Sequence, residues 1–274
     1  MSNFSSTMTL FENNGVKYLA FNKLSEIDFI HHAFSTRIGG VSKGIFESMN
    51  MSFANDDFDD VTENYKRFCS AAGFDFDTLV ASSQDHNTFV RVCTKNECGI
   101  GITREKDIMS VDALVTNEKG VTLVTYYADC TPLFFVDTKN KAIGLAHAGW
   151  RGTVGKIGEK VIKTMTQNYG TDPSDLVCAI GPAISKCCYE VDKACADNFY
   201  ALNLNDSDFI FKKDDGKFMI DLLQCNKQIL VSAGVKEENI TLSDLCTKCN
   251  SDLLWSHRAT GGKRGTMSAF MTLK

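Results

Sequence analysis

The segment Ala128–Gly152, "ADCTPLFFVDTKNKAIGLAHAGWRG", constrains the chain more than any other. Two apolar, β-prone runs flank the polar break "DTKNK". That pattern predicts an antiparallel hairpin. If the turn is centred near residue 139, opposed residues sum to about 278, give or take a residue or two. Residue 130 then faces about residue 148, so a thiol, Cys130, and an imidazole, His147, meet at the open end of the hairpin.

The flanking sequence supplies further strands. "VKYLAFNKL" (16–24), "FIHHAFSTR" (29–37), "TFVRVC" (88–93), "LVCAIG" and "TMSAFMTLK" read as strands, and "ALVTN" with "VTLVTYYA" as a strand–turn–strand unit. Helical spacing places Val61, Tyr65, Phe68 and Cys69 on one face over 60–73, with Gly73 as the stop. A single amphipathic helix is expected over 153–170, and further helices within 190–202 and 222–234. Strands and helices intermix, and short turns join many neighbours. The expected fold class is therefore mixed α/β, with largely antiparallel mixed sheets flanked by helices. No linker interrupts the 274 residues, so one domain over 1–274 is expected.

Charge and composition narrow the function. A net charge of −5 argues against general nucleic-acid binding, while leaving room for a local basic pocket. No apolar run approaches the roughly 20 residues needed to span a bilayer. The first fifteen residues show no basic stretch followed by an apolar core, so no signal peptide is expected. Eleven cysteines form an odd set, which fits reduced thiols in a cytoplasmic protein better than a disulfide framework. Disorder is expected only in the first few residues.

His86, in "SSQDHNTFV", joins Cys130 and His147 as a candidate. One cysteine and two histidines suit zinc with an open fourth position. The same thiol and imidazole would equally serve as a nucleophile and its base. Spacings of 44 and 17 residues match no local zinc-finger pattern, so spacing alone leaves both readings open.

Other residues offer weaker signals. Arg151, in "GWRG", precedes a helix start and is a candidate anion ligand. Gly149 and Gly152 beside it also suit a simple tight turn. Arg37 in "STRIGG" is a second candidate anion ligand, and Asn50 in "SMNMS" a candidate ribose or base contact. Asp129 adjoins Cys130 and could orient a metal ligand or accept a proton. "CTKC" at 246–249 lacks a second ligand pair nearby and reads as incidental or structural. The adjacent Cys187 and Cys188 read as packing residues. His31 and His32 fall on opposite faces of a strand and do not suit one metal.

"FSTRIGGVSKGIFESMNMSF", "ADCTP", "GLAHAGWRG" and "AIGPAISKCCYEV" together resemble the YfiH/DUF152 family. Its members were long labelled multicopper polyphenol oxidases, or laccases, and are described as zinc-dependent enzymes of purine nucleosides. The resemblance runs from about residue 30 to the C-terminus. It implies a single YfiH-like α/β domain, distantly similar to cysteine-hydrolase-like toxins. It also implies metal ligation by His86 of a "QxH" element, Cys130 of "ADC" and His147 of "HAGWRG", with Gln84 at the substrate. Two departures stand out. "QDHNTFV" lacks the glycine the family commonly places after this histidine, and "HRATGGKRGTMSAF" shifts the C-terminal arginine, Arg264.

The implied cofactor is zinc, with copper as the alternative, and the implied partners are purine nucleosides and phosphate. The implied activities are phosphorolysis of adenosine, inosine, guanosine and 5′-methylthioadenosine, and deamination of adenosine. The H-x-E with P-C-x-x-C deaminase signature is absent, so deamination would use another acid and base. Three alternatives remain: a copper-dependent polyphenol oxidase, a metal-free Cys–His hydrolase and a non-catalytic binding module. Five histidines are few for a blue-copper plus trinuclear arrangement. Monomer and homodimer both stay open.

Overall fold

The computed structural model describes residues 4–107 and 109–274; residues 1–3, where a disordered start is expected, lie outside them. In chain order the strands are β1 (Met8–Asn13), β2 (Val16–Phe21), β3 (Ile30–Ser35), β4 (Leu79–Ala81), β5 (Val90–Val92), β6 (Ala113–Thr116), β7 (Thr122–Tyr127), β8 (Thr131–Asp137), β9 (Ala142–Ala148), β10 (Leu176–Ile180), β11 (Glu190–Val191), β12 (Ile210–Lys212), β13 (Phe218–Ile220), β14 (Ile240–Leu242) and β15 (Met267–Leu273). The helices are α1 (Asn22–Ser25), α2 (Phe58–Ala72), α3 (Trp150–Val154), α4 (Ile157–Tyr169), α5 (Lys193–Tyr200), α6 (Leu222–Ser232) and α7 (His257–Thr260).

β8 and β9 form the expected hairpin. Pro132 lies opposite His147 and Asp137 opposite Ala142, one residue from the predicted register. Asp137 fixes the turn: its Oδ1 accepts from the backbone N–H of Lys139 at 2.9 Å and Asn140 at 2.8 Å. This is the Asx geometry by which aspartate sets a tight connection.

The hairpin lies mid-sheet, in the order β14-β10-β8-β9-β6-β5. Its strands pair antiparallel throughout the centre, and the two edge strands, β14 and β5, pair parallel. A second six-stranded sheet, β1-β2-β3-β15-β7-β4, is antiparallel except for β4. A small sheet, β11-β13-β12, stands apart from both.

Both faces of the hairpin are buried. Phe134, Val136, Ile143 and Leu145 pack with Phe21, Phe34, Leu123 and Met271 of the second sheet. Leu133, Phe135, Ala142 and Ala146 pack with Val161 and Met165 of α4 and Leu230 of α6. Helix α2 covers the outer face of the second sheet through Val61, Tyr65 and Phe68. The layers therefore run helix, sheet, sheet, helix. Asp57 caps the start of α2, and Gly73, with φ 79°, ends it where the sequence places the stop.

Three local expectations change. First, β6 and β7 belong to different sheets and do not pair as a hairpin. Both are almost wholly buried, so neither carries a polar face that would reveal its partner. Second, the 16–24 run leaves its strand at Phe21 and turns into α1. Third, the 153–170 helix starts earlier and breaks between α3 and α4, where Lys156 takes a left-handed φ of 55°. A Cβ on Gly155 would meet Thr88 at 2.6 Å, so the break makes room for the loop that carries His86.

Phe134 is fully buried between the sheets, with its ring edge-on to Phe21 at 5.6 Å. Phe134→Ala is expected to destabilise the fold by about 3–5 kcal/mol in urea unfolding. A cost below about 1 kcal/mol would show that the inter-sheet core is not where the hairpin is held.

Candidate metal centre

His147 is the penultimate residue of β9, and its ring packs 5.6 Å from that of Tyr127. Its Nδ1 sits 2.7 Å from Oδ1 of Asp112, just ahead of β6. Register makes this meeting possible, since Ala113 lies opposite Ala146 and the His147 N–H donates to the Asp112 carbonyl at 2.7 Å. The carboxylate holds Nδ1–H and leaves Nε2 free to bind a metal.

The same carboxylate folds the loop of His86. Its oxygens accept backbone N–H bonds from Asp85 at 3.0 Å, His86 at 3.0 Å and Asn87 at 3.1 Å. His86 is left at φ 61°, an uncommon conformation for a side-chain-bearing residue. Cys130 precedes β8, after Asp129 at φ 83°. The result is a compact donor set. His86 Nε2 is 3.8 Å from Cys130 Sγ, and the three ligand atoms lie within 4.8 Å of one another.

Gly149 leaves the space for this set. A Cβ there would lie 2.8 Å from His86 Cδ2 and 3.1 Å from Cys130 Sγ. Its φ of −64° is open to any residue, so closeness to the ligands, not turn geometry, requires glycine.

Burial alone would raise the Cys130 thiol, but the charge of His147, with hydrogen bonds from His147 and His86, brings it down to about 6. Burial would lower His147, but the Cys130 thiolate and the Asp112 carboxylate lift it to about 9. For Asp112, burial is outweighed by the His147 hydrogen bond and charge and by backbone N–H donors, which hold it below the usual carboxylate range. Each group thus favours the charged form of the other. One thiolate and two imidazoles fit a tetrahedral ion with one position left for a substrate or water.

His86, Cys130 and His147 line a cavity of about 650 Å³. Gln84, Asp129 and Arg151 also line it. The Gln84 side chain pairs with the backbone of Tyr126, donating to its carbonyl at 3.0 Å and accepting from its N–H at 2.7 Å. Asp129 accepts from the Thr247 hydroxyl at 2.6 Å and the Arg258 N–H at 2.7 Å. Arg151 is exposed and stacks on Trp150, 4.4 Å from the ring centre. Helix α3 has only five residues, too short to present a helix-terminal anion site.

Arg37 and Asn50 fall outside the lining. Arg37 stacks on Trp255 at 3.8 Å and donates to the Ser251 carbonyl at 2.8 Å. Asn50 is fully buried, donating to Ser52 and Asp56 and accepting from the Thr266 N–H. Their polar atoms are engaged in tying loops together.

Cations missed in the sequence stand on the cavity wall. Lys106 and Arg258 line it, as does Arg264, to which the sequence gives no role. Arg264 Nε is buried without a hydrogen-bond partner among the described residues. Asp112 was also missed, and its only signal is a carboxylate set just before an apolar strand. His31 and His32 take no part. His32 is buried and accepts the Phe21 N–H at 2.9 Å, while His31 packs on Phe74.

A family model described as "Multi-copper polyphenol oxidoreductase laccase" matches residues 31–274. The purine nucleoside phosphorylase YlmD of Bacillus subtilis (strain 168) is 37% identical over 243 residues, spanning 88% of this chain and 87% of that protein. The crystal structure of YlmD from Geobacillus stearothermophilus superposes with a TM-score of 0.92 at 34% identity, covering 98% of this chain and 99% of that one. The Bacillus licheniformis hypothetical protein YfiH gives a TM-score of 0.91 at 30% identity, covering 97% and 99%.

In metal-free protein, the rate of Cys130 alkylation by iodoacetamide is expected to rise with pH around a midpoint near 6. His147→Ala is expected to move that midpoint up toward the ~8.5 of an ordinary thiol. An unshifted midpoint in the variant would show that His147 does not set the charge of Cys130.

Proposed function

The chain belongs to the YfiH family, whose model is described as multi-copper polyphenol oxidoreductase laccase, and from that premise we propose that it is a zinc-dependent purine nucleoside phosphorylase. One observation carries the reading. Four cationic side chains, Lys106, Arg151, Arg258 and Arg264, line the cavity that holds His86, Cys130 and His147, in a chain whose net charge is −5. Such a local reversal of charge suits an anionic substrate, and phosphate is the anion that phosphorolysis requires. The volume, about 650 Å³, lies within the usual span for small-ligand sites of about 300–1,000 Å³.

His86, Cys130 and His147 would hold the metal, with Asp112 fixing the His147 ring. A bound zinc ion supplies positive charge that stabilises negative charge developing on the substrate. The residues of the chain do the rest. Arg151 and Arg264 hold phosphate by charge-assisted hydrogen bonds. Nη1 of Arg264 donates to the Gly265 carbonyl at 3.1 Å and the Thr266 hydroxyl at 2.9 Å, which fixes the guanidinium at the cavity wall. Tyr126, Tyr189 and Trp150 line the cavity, each with a cation over its ring: Lys106 at 5.0 Å, Arg258 at 5.5 Å and Arg151 at 4.4 Å. A phosphate oxygen bonds to C1′ as the C1′–N bond breaks, and the purine leaves with that electron pair. Asp129 positions the wall, because its oxygens hold Thr247 and the start of α7, which carries His257 and Arg258.

The proposal extends to adenosine, inosine, guanosine and 5′-methylthioadenosine as phosphorolysis substrates, and to deamination of adenosine. It takes residues 1–274 as one functional domain in the cytoplasm. Among the described residues no helix is long and apolar enough to cross a membrane. A multi-copper centre has less support, because one thiolate and two imidazoles form one mononuclear set. The low thiol pKa of Cys130 favours one other reading, a metal-free hydrolase with Cys130 as nucleophile and His147 as base.

Adenosine assays with and without phosphate separate these readings. Phosphate-dependent adenine release, lost on chelation and in Cys130→Ala, is the expected result. Full activity in metal-free protein would overturn the zinc reading in favour of the thiol. Arg264→Ala is expected to raise the KM for phosphate by about 10–100-fold, the loss of a charged hydrogen bond. An unchanged KM would remove Arg264 from the phosphate site.

A further inference from the structure

A second thiol cluster lies outside the three-ligand centre. Strands β10 and β14 pair in parallel, Ile180 beside Leu242, so the loops that follow both leave the same end of the sheet. A further bridge, Ala183 to Cys246, keeps them side by side, and the Thr247 N–H donates to the Ala183 carbonyl at 3.1 Å. The first loop carries Cys187 and Cys188, the second Cys246 and Cys249. The ligand pair that "CTKC" lacks in sequence is therefore supplied by the neighbouring loop.

The sulfur geometry is specific. Cys187 Sγ lies 3.7 Å from Cys188 Sγ and 3.6 Å from Cys249 Sγ, and Cys188 Sγ lies 3.5 Å from Cys249 Sγ. All four sulfurs, that of Cys246 included, fall within 4.8 Å of one another. A tetrahedral zinc tetrathiolate with bonds of about 2.3 Å has sulfur–sulfur edges of about 3.8 Å. A disulfide needs about 2.05 Å. Cys187 and Cys249 are exposed, so their convergence is not explained by apolar packing. The Ser185 N–H donates to Cys246 Sγ at 3.4 Å, the kind of bond that supports a ligating sulfur.

We propose that Cys187, Cys188, Cys246 and Cys249 form a structural zinc site that locks the two loops together beside the cavity. Four protein ligands close the coordination sphere, so the site takes no substrate. Each thiol gives up its proton to solvent on binding, and no redox change occurs. The first loop brings Ile184 and Tyr189 to the cavity wall, and Ile184 donates its N–H to the Asp129 carbonyl at 3.0 Å. The second brings Thr247 to the Asp129 carboxylate. Asp129 precedes Cys130, so the tetrathiolate braces the approach to the other metal centre without sharing a ligand with it.

Metal content and cobalt spectra test the proposal independently of any catalytic activity. Protein prepared with reductant and zinc is expected to hold about two zinc ions per chain, and Cys187→Ser/Cys249→Ser about one. Cobalt(II) added to Cys130→Ala/His147→Ala protein should give the strong thiolate-to-cobalt charge-transfer and visible bands of a tetrahedral thiolate site. Wild-type zinc content in the double serine variant would overturn the proposal. So would the absence of the cobalt bands, or a Cys187–Cys249 disulfide in the reduced preparation. If the double serine variant does not fold, the cobalt spectrum alone decides.

Discussion

The Asp112 carboxylate accepts three successive backbone N–H groups, from Asp85, His86 and Asn87, and pairs with His147 Nδ1. The whole centre depends on that one buried group. A carboxylate fully removed from water is costly unless its oxygens are satisfied, and here each is met by donors. In satisfying them the chain winds the loop of His86 against the end of β9. Without Asp112 the two histidines would sit on unconnected segments of the chain. With it, they converge on Cys130 from two directions, and Gly149 leaves room for them.

The hairpin was legible because its sequence carries its own turn. "DTKNK" sets the register to within one residue, through Asp137, and that alone brings Cys130 near His147. The stop at Gly73 was legible for the same local reason. What was not legible depends on contacts distant in sequence. β6 and β7 are buried on both faces and name no partner. The short strands β4, β12 and β13 hold three residues each, too few for any period to show. Arg37 and Asn50 carry suitable chemistry, but their hydrogen bonds are used in holding loops. No rule of spacing separates them from Arg264, which does reach the cavity.

The cysteines divide by environment. Cys178 and Cys225 are buried among apolar side chains, which push their thiols well above the ordinary value. Cys130 is also enclosed, yet two histidines draw it the other way. Cys187, Cys188, Cys246 and Cys249 are gathered by parallel strands, and only the fold reveals them as a set. One chain thus places the same side chain in an apolar core, in a Cys–His–His cluster open to a cavity and in a cluster of four thiols. The two clusters meet at Asp129, whose backbone leads to Cys130 and whose carboxylate is held by Thr247.

Anomalous diffraction at the zinc edge, from crystals of the full chain grown with zinc, tests the central claim most directly. The account predicts a peak about 2.0–2.3 Å from His86 Nε2, Cys130 Sγ and His147 Nε2, with its remaining side toward the cavity of Arg151 and Arg264. Density at other residues, or none among these three in zinc-containing crystals, would contradict it.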